Sequence, residues 1–140
     1  METASSVVEF WRAAGPQRWF VRDEAFDVEF RERFLDLHYQ AARRGCEDWL
    51  ENAEGALALQ ILLDQFPRNC FRGTAHSYAT DGLARHYATR TIEEGWDREL
   101  PLKLRAFIYL PFEHSEDPQD QERAVAMFEV LGLSLIHISE

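Results

Sequence analysis

The stretch LLDQFPRNCFRGT, Leu62 to Thr74, places Asp64, Gln65, Arg68, Asn69 and Arg72 at the end of the most hydrophobic run in the chain. Polar groups in apolar surroundings cost free energy unless they are paired, so this crowding marks either a buried network or a site. Asp64 and Arg68 stand four residues apart, one helical turn if the helix continues through Pro67, whose missing amide favours a kink or a stop. An arginine fork matches a carboxylate or a phosphate bidentately. Two readings follow: Asp64, Arg68 and Arg72 tie neighbouring helices together, or they line a pocket for an anionic group.

Asp81 interrupts a helical face formed by Tyr78, Ala84, Arg85, Ala88 and Ile92. It wants a cation, with Arg85 one turn away and Arg68, Arg72 and Arg105 as tertiary candidates. The plain reading is a salt bridge that locks helices. A third polar group lies in YLPFEHSEDPQDQE, where Tyr109 precedes Pro111 and His114, Ser115 and Glu116 crowd a loop. His114 and Ser115 are adjacent, and neighbouring residues rarely point the same way, so a Ser–His nucleophile pair is disfavoured. Ser115 and Asp117 serve equally well as helix caps. Asp64, His114 and Glu116 remain as acid–base groups for an enzymatic alternative. His76 and His86 lack metal-ligand spacing, and no HExxH, GxGxxG or Walker-type loop is present, so no metal or cofactor is expected. Both polar motifs follow an apolar helix at a proline, Pro67 and Pro111, and the expectation is that they meet around one site.

The elements that must position these residues are helical. Ser6 and Glu9 have capping-box spacing before a first helix that stops at Gly15-Pro16. Trp19 and Phe20 should pin the following connector, and Asp23 suits the cap of a second helix. Phe26, Phe30, Phe34, Leu37 and Ala41 form its stripe, Glu29 and Arg33 an i,i+4 pair, and Gly45 its C′ stop. Helix three is expected from Glu54 to Phe66, apolar nearly all round and therefore central. Helix four runs from a Thr74 cap to Glu94, helix five from Arg98 to Phe112, and helix six starts at Pro118 with Ala124, Val125, Phe128 and Leu131 inward. The fold class is all-α: about six helices as stacked antiparallel hairpins in a single domain over residues 1–132.

Composition narrows the partners. Of 140 residues, 46% are hydrophobic and 29% charged, which is globular usage. Fifteen Lys+Arg against 25 Asp+Glu leave a net charge of -10, unfavourable for nucleic acid and for an anionic membrane surface. Cys46 and Cys70 are too few for a disulfide framework, and no run is long enough to span a bilayer. The N-terminus lacks the features of a secretion signal. A cytoplasmic setting is expected. Residues 133–140, LSLIHISE, follow the helix stop at Leu131-Gly132 and resemble the translation of a transposon-type sequencing adapter, so a non-native tail on a truncated chain is expected.

The segments VVEFW, RWFVRDEAFD, FRERF, LALQILLDQFPRNCFRGTAHSYATD and LPFEHSEDPQDQERAVAMFEVL cover nearly everything from Val7 to Leu131. In these motifs the chain resembles the bacterial DUF924 family, an uncharacterised group with a tetratricopeptide-like helical fold. The resemblance implies an α-α superhelix in which the Leu62–Thr74 and Leu110–Glu116 motifs matter together. It also implies further C-terminal helix with a Phe-Gly-Arg-Phe-Pro-like segment, which this sequence lacks, and it carries no established activity. The functional expectation is a binding module, since stacked hairpins form a groove. An unknown anionic small molecule or peptide is the expected partner, held by some of Asp64, Gln65, Arg68, Asn69, Arg72, Asp81, Arg105, Tyr109, His114, Ser115 and Glu116.

Overall fold

A computed structural model describes residues 2–132; the expected tail, residues 133–140, lies outside the described residues. Eight α-helical segments run in order: α1 Ala4–Ala14, α2 Pro16–Trp19, α3 Glu24–Ala42, α4 Ala53–Gln60, α5 Phe66–Cys70, α6 Asp81–Glu93, α7 Leu102–Glu113 and α8 Pro118–Leu131. A π-helical segment, Ile61–Gln65, joins α4 to α5 without a break, and 3₁₀ turns occupy Glu47–Trp49, Ala75–Tyr78 and Trp96–Glu99. No strand occurs among the described residues, so the protein is all-α. As its apolar circumference requires, α4 is central, packing against α1, α6 and α7. The chain neighbours α6–α7 and α7–α8 also pack on each other, while α3 lies against α5 and the π segment.

Aromatic rings fill one side of the core. Trp19 stacks on Trp11 with ring centroids 5.9 Å apart, and its Nε1 donates to the Trp11 carbonyl at 2.7 Å. Phe107 meets Trp19 edge-on at 5.0 Å, so the connector is pinned as its aromatics implied. The α3 stripe is buried through Phe26, Phe30, Phe34 and Ala41, and Asp23 Oδ1 caps the helix by accepting from the Phe26 amide.

Several boundaries differ from the sequence expectation for local reasons. The first capping box is made by Thr3 and Ser6, and Glu9 pairs instead with Arg12. Arg33 reaches back to Glu2 at 2.9 Å, so the pair with Glu29 is not formed. The left-handed residue after α3 is Arg44, with φ 68°. Gly45 is needed for closeness, because a Cβ there would lie 2.9 Å from the Gln40 carbonyl oxygen. Helix four is shorter than expected. Ser77 Oγ donates to the Thr74 carbonyl and Thr74 Oγ1 to that of Phe71; such local side-chain bonds favour a turn, and α6 begins only at Asp81. Pro101 occupies the cap of α7, and Arg98 belongs to the 3₁₀ turn before it.

Helix three carries the feature that matters most for the site. It runs past the expected end at Phe66 to Cys70 by widening into the π segment. The Phe66 amide bonds to the Ile61 carbonyl, five residues back, and Pro67 next in line has no amide to offer. Three successive carbonyls of the segment accept from side chains. His38 Nδ1 donates to Leu62 O at 2.8 Å, Thr80 Oγ1 to Leu63 O at 2.6 Å, and Arg68 Nη1 to Asp64 O at 2.9 Å. With Nδ1 donating, neutral His38 accepts at Nε2 from His76 Nε2, 2.9 Å away. Burial and the nearby His76 push the His38 pKa down to about 4, against the opposing pull of the Leu62 carbonyl.

Two outcomes follow. Phe34 is fully buried, and Phe34→Ala should cost roughly 3–5 kcal/mol in a denaturant melt; a loss below about 1 kcal/mol would misplace the core. His38 is neutral in the folded protein down to about pH 4, whereas in the unfolded chain it takes up a proton near about pH 6.5. The unfolded state therefore binds more protons between these values. The stabilisation is complete above about pH 6.5 and falls, on the order of 3 kcal/mol, as pH drops toward 4. Melts of wild type and His38→Gln across this window should show the slope in the former and its flattening in the latter.

Candidate functional site

The widened turn delivers the Asp64 side chain into the interior, where it is 1% exposed. Gln65 Nε2 donates to Asp64 Oδ2 at 2.9 Å, and Arg68 Nη1 to Oδ1 at 3.0 Å. His114, the C-terminal cap of α7, sets its Nδ1 2.9 Å from the same oxygen. Burial alone would raise the Asp64 pKa, but His114, Arg68 and Gln65 outweigh it and hold the carboxyl below the usual range. The two polar motifs thus meet directly, although fifty residues separate Asp64 from His114.

Arg68 has a second carboxylate. Its Nη1 and Nη2 donate to Asp81 Oδ1 and Oδ2 at 2.8 and 3.0 Å, a fork-on-carboxylate pair. Asp81 opens α6, where the helix dipole also favours negative charge. Of the cations weighed for Asp81, Arg68 is the partner; Arg85 turns to Asp120 at 3.8 Å. Arg72 and Asn69 share an acid that the sequence reading missed: Asp27 of α3 accepts from Asn69 Nδ2 at 2.9 Å and from Arg72 Nε at 3.3 Å. No pattern on α3 singled Asp27 out, because it sits in the expected first turn of an ordinary amphipathic helix.

Arg105 and Tyr109 stand elsewhere. Arg105 Nε donates to the Tyr109 hydroxyl at 2.8 Å, and that hydroxyl donates to the buried Asp97. This separate cluster keeps the Tyr109 pKa up at about 12, through burial and the Asp97 contact. Ser115 is buried and structural in its bonding, donating to Asp120 Oδ2 at 2.7 Å and accepting from the Asp117 amide. Glu116 is exposed and borders a shallow depression of about 780 Å³ with Asp81, Asp117 and Asp120. Glu113, one residue before His114, has its pKa raised by burial, and its Oε2 is enclosed without a hydrogen-bond partner.

Gln65, Arg68, Asn69, Arg72 and His114 all line one cleft of about 530 Å³. Trp19 at the end of α2 and Phe20, Val21 and Arg22 in the connector after it also line the cleft, as does Tyr78. Its charged lining residues are Arg22, Arg68 and Arg72, with no carboxylate among them. Arg22 was missed; a lone arginine in a connector gives no signal until the chain folds back over α5. Among the described residues Arg22 makes no ion pair, and Arg68 Nε and the Arg72 terminal nitrogens make no hydrogen bond to protein. No group of three or more His, Cys, Asp or Glu side chains among the described residues can hold a metal ion.

An all-α scaffold with a π turn that buries an aspartate between an arginine and a histidine, beside a cationic cleft, defines the class of molecule. The chain belongs to the family of bacterial proteins of unknown function called DUF924, whose pattern it matches over residues 7–137. It is similar in structure to a protein of unknown function from Agrobacterium tumefaciens, at 55% sequence identity and a TM-score of 0.91, over 92% of this chain and 73% of that one. No curated protein matches it.

The two arginines differ in what they hold. Arg68→Ala strands two carboxylates, one of them fully buried, and should cost about 3–5 kcal/mol. Arg72→Ala removes a half-exposed contact and should cost less than about 1 kcal/mol. Chemical denaturation of both variants checks this; equal losses would contradict the assigned partners.

Proposed function

We propose that the protein is a binding module whose cleft takes an anionic small molecule or the carboxylate of a peptide. The observation that carries this reading is the cleft's charge: three arginines and no acid line it, in a chain of net charge -10. Its volume falls in the range of small-molecule sites. Trp19, Phe20 and Tyr78 supply apolar and aromatic surface for the body of the ligand, and the guanidinium forks supply its head-group contacts. The neighbouring depression is rich in carboxylates and repels the same ligand, which biases an anion to one side of Arg68.

The net charge argues against nucleic acid and anionic lipid as partners. Among the described residues no helix is long and apolar enough to cross a membrane. Cys46 and Cys70 are free thiols, and the Cys70 pKa is pushed up to about 12 by burial and by Asp27. Two unreactive thiols suit a reducing, cytoplasmic compartment.

Succinate, inorganic phosphate and phenyl phosphate are suitable probes. Calorimetric titration should show binding of at least one, and Arg22→Ala and Arg72→Ala should each weaken it by about tenfold, as loss of one charge-assisted contact predicts, with melting temperature unchanged. No heat and no thermal shift with any of the three at 10 mM (~10 mM ligand being ample for a millimolar site) would end this reading.

A further inference from the structure

We propose that the cleft is hydrolytic: His114, held by the buried Asp64, is the general base that directs water at a carboxylic ester whose second, anionic group is held by Arg22 and Arg72. This rests on the anion-binding reading of the same cleft.

The bond between His114 and Asp64 serves the carboxylate and also orients the imidazole. Arg68 donates to one Asp64 oxygen and Gln65 to the other, but Arg68 divides its single charge between Asp64 and Asp81. His114 adds the third donor that this buried carboxylate needs. The same contact fixes the imidazole. An ionised carboxylate only accepts, so Nδ1 carries a proton, and Nε2 is the nitrogen that offers the ring's lone pair when it acts as a base. Among the described residues Nε2 has no hydrogen-bond partner. The ring is a fifth exposed and borders the cleft, which opens it to water. A base oriented by a buried acid, with its second nitrogen free, is the arrangement from which an imidazole takes a proton from an attacking hydroxyl or water. Arg68 shares the same Asp64 oxygen with His114 and keeps an unused Nε–H. Positive charge so close to the base is what a developing carbonyl oxyanion needs.

The step balances without another reactant. As the water oxygen bonds to the carbonyl carbon, Nε2 takes one of its protons and the carbonyl π pair moves onto oxygen. The pair returns as the bond to the alcohol oxygen breaks, and the departing alkoxide takes the proton from Nε2. One water is consumed, an acid and an alcohol form, and the acid ionises into solvent. Nothing is oxidised or reduced, and the Nδ1 proton stays on His114 throughout.

The test uses the full chain with mono-4-nitrophenyl succinate, an ester carrying a distal carboxylate, and the uncharged 4-nitrophenyl butyrate. The anionic ester should be preferred at least tenfold in kcat/KM. His114→Gln should lower kcat by about 10²–10⁴-fold, the usual contribution of a general base, with KM and succinate affinity unchanged. Imidazole added to His114→Ala should restore turnover, which a folding defect would not permit. Wild type that binds succinate but hydrolyses the ester no faster than buffer overturns the hydrolytic proposal and leaves anion binding standing. Equal turnover by His114→Gln does the same. Absence of succinate binding together with absence of turnover removes both.

Discussion

The Asp64 carboxylate can be buried and remain ionised only because donors from three places in the chain converge on it. Gln65 reaches it from the next residue, Arg68 from the following turn, and His114 from the end of α7. Removing a carboxylate from water costs several kcal/mol (about that much even after relaxation), and a single ion pair seldom repays it. Convergence is therefore a condition on the fold. α5, α6 and α7 must end or begin within reach of one side chain, and Arg68 joins two of them by forking onto Asp81 while holding Asp64. The backbone obeys the same condition. Pro67 withholds an amide, the helix widens, and the carbonyls of Leu62, Leu63 and Asp64 accept from His38, Thr80 and Arg68. Arg68 thus serves the carbonyl ladder and the charge balance together.

That double role explains how much could be read before any coordinates. Period and caps are local properties, so α3, the centrality of α4 and the Asp23 cap were legible from apolar spacing and side-chain type. The helical class followed from the same signals. The meeting of the Asp64 and His114 motifs was legible too, because each holds polar groups beside a proline where backbone partners run out. Illegible were the facts that depend on tertiary approach. Asp27 looks like any first-turn acid until α5 brings Asn69 and Arg72 to it. Arg105 and Tyr109 look like site residues by composition, yet Asp97 claims both. On an α pattern Pro67 implies a kink or a stop; a π turn carries the helix past it, with side chains bonding to the carbonyls of the widened turn.

Charge is distributed against the average. Acids dominate the chain, and yet the cleft beside Asp64 is lined by three arginines and no carboxylate. Its three arginines are held to different extents: Arg68 by two carboxylates, Arg72 by one nitrogen to Asp27, and Arg22 by no acid among the described residues. The gradient runs from the interior outward. The inner fork is rigid and committed to the protein, whereas the outer ones retain donors for something else. For the anionic ligand proposed above, the surrounding excess of negative charge would favour the cleft over the rest of the surface.

The rigidity of the inner cluster bears on what the outer groups can do. A base is useful only if its lone pair is held in one direction, and an imidazole on a loop would rotate unless its other nitrogen were bound. His114 sits just past the last turn of α7, a position with backbone freedom, and takes its orientation from Asp64. Asp64 takes its own from the π turn and from Gln65. Each step outward from Pro67 therefore removes one degree of freedom from the next group, ending at the ring that borders the cleft. The order ends at a group that borders the cleft, and this is the physical reason to regard the buried pair and the cleft as parts of one site.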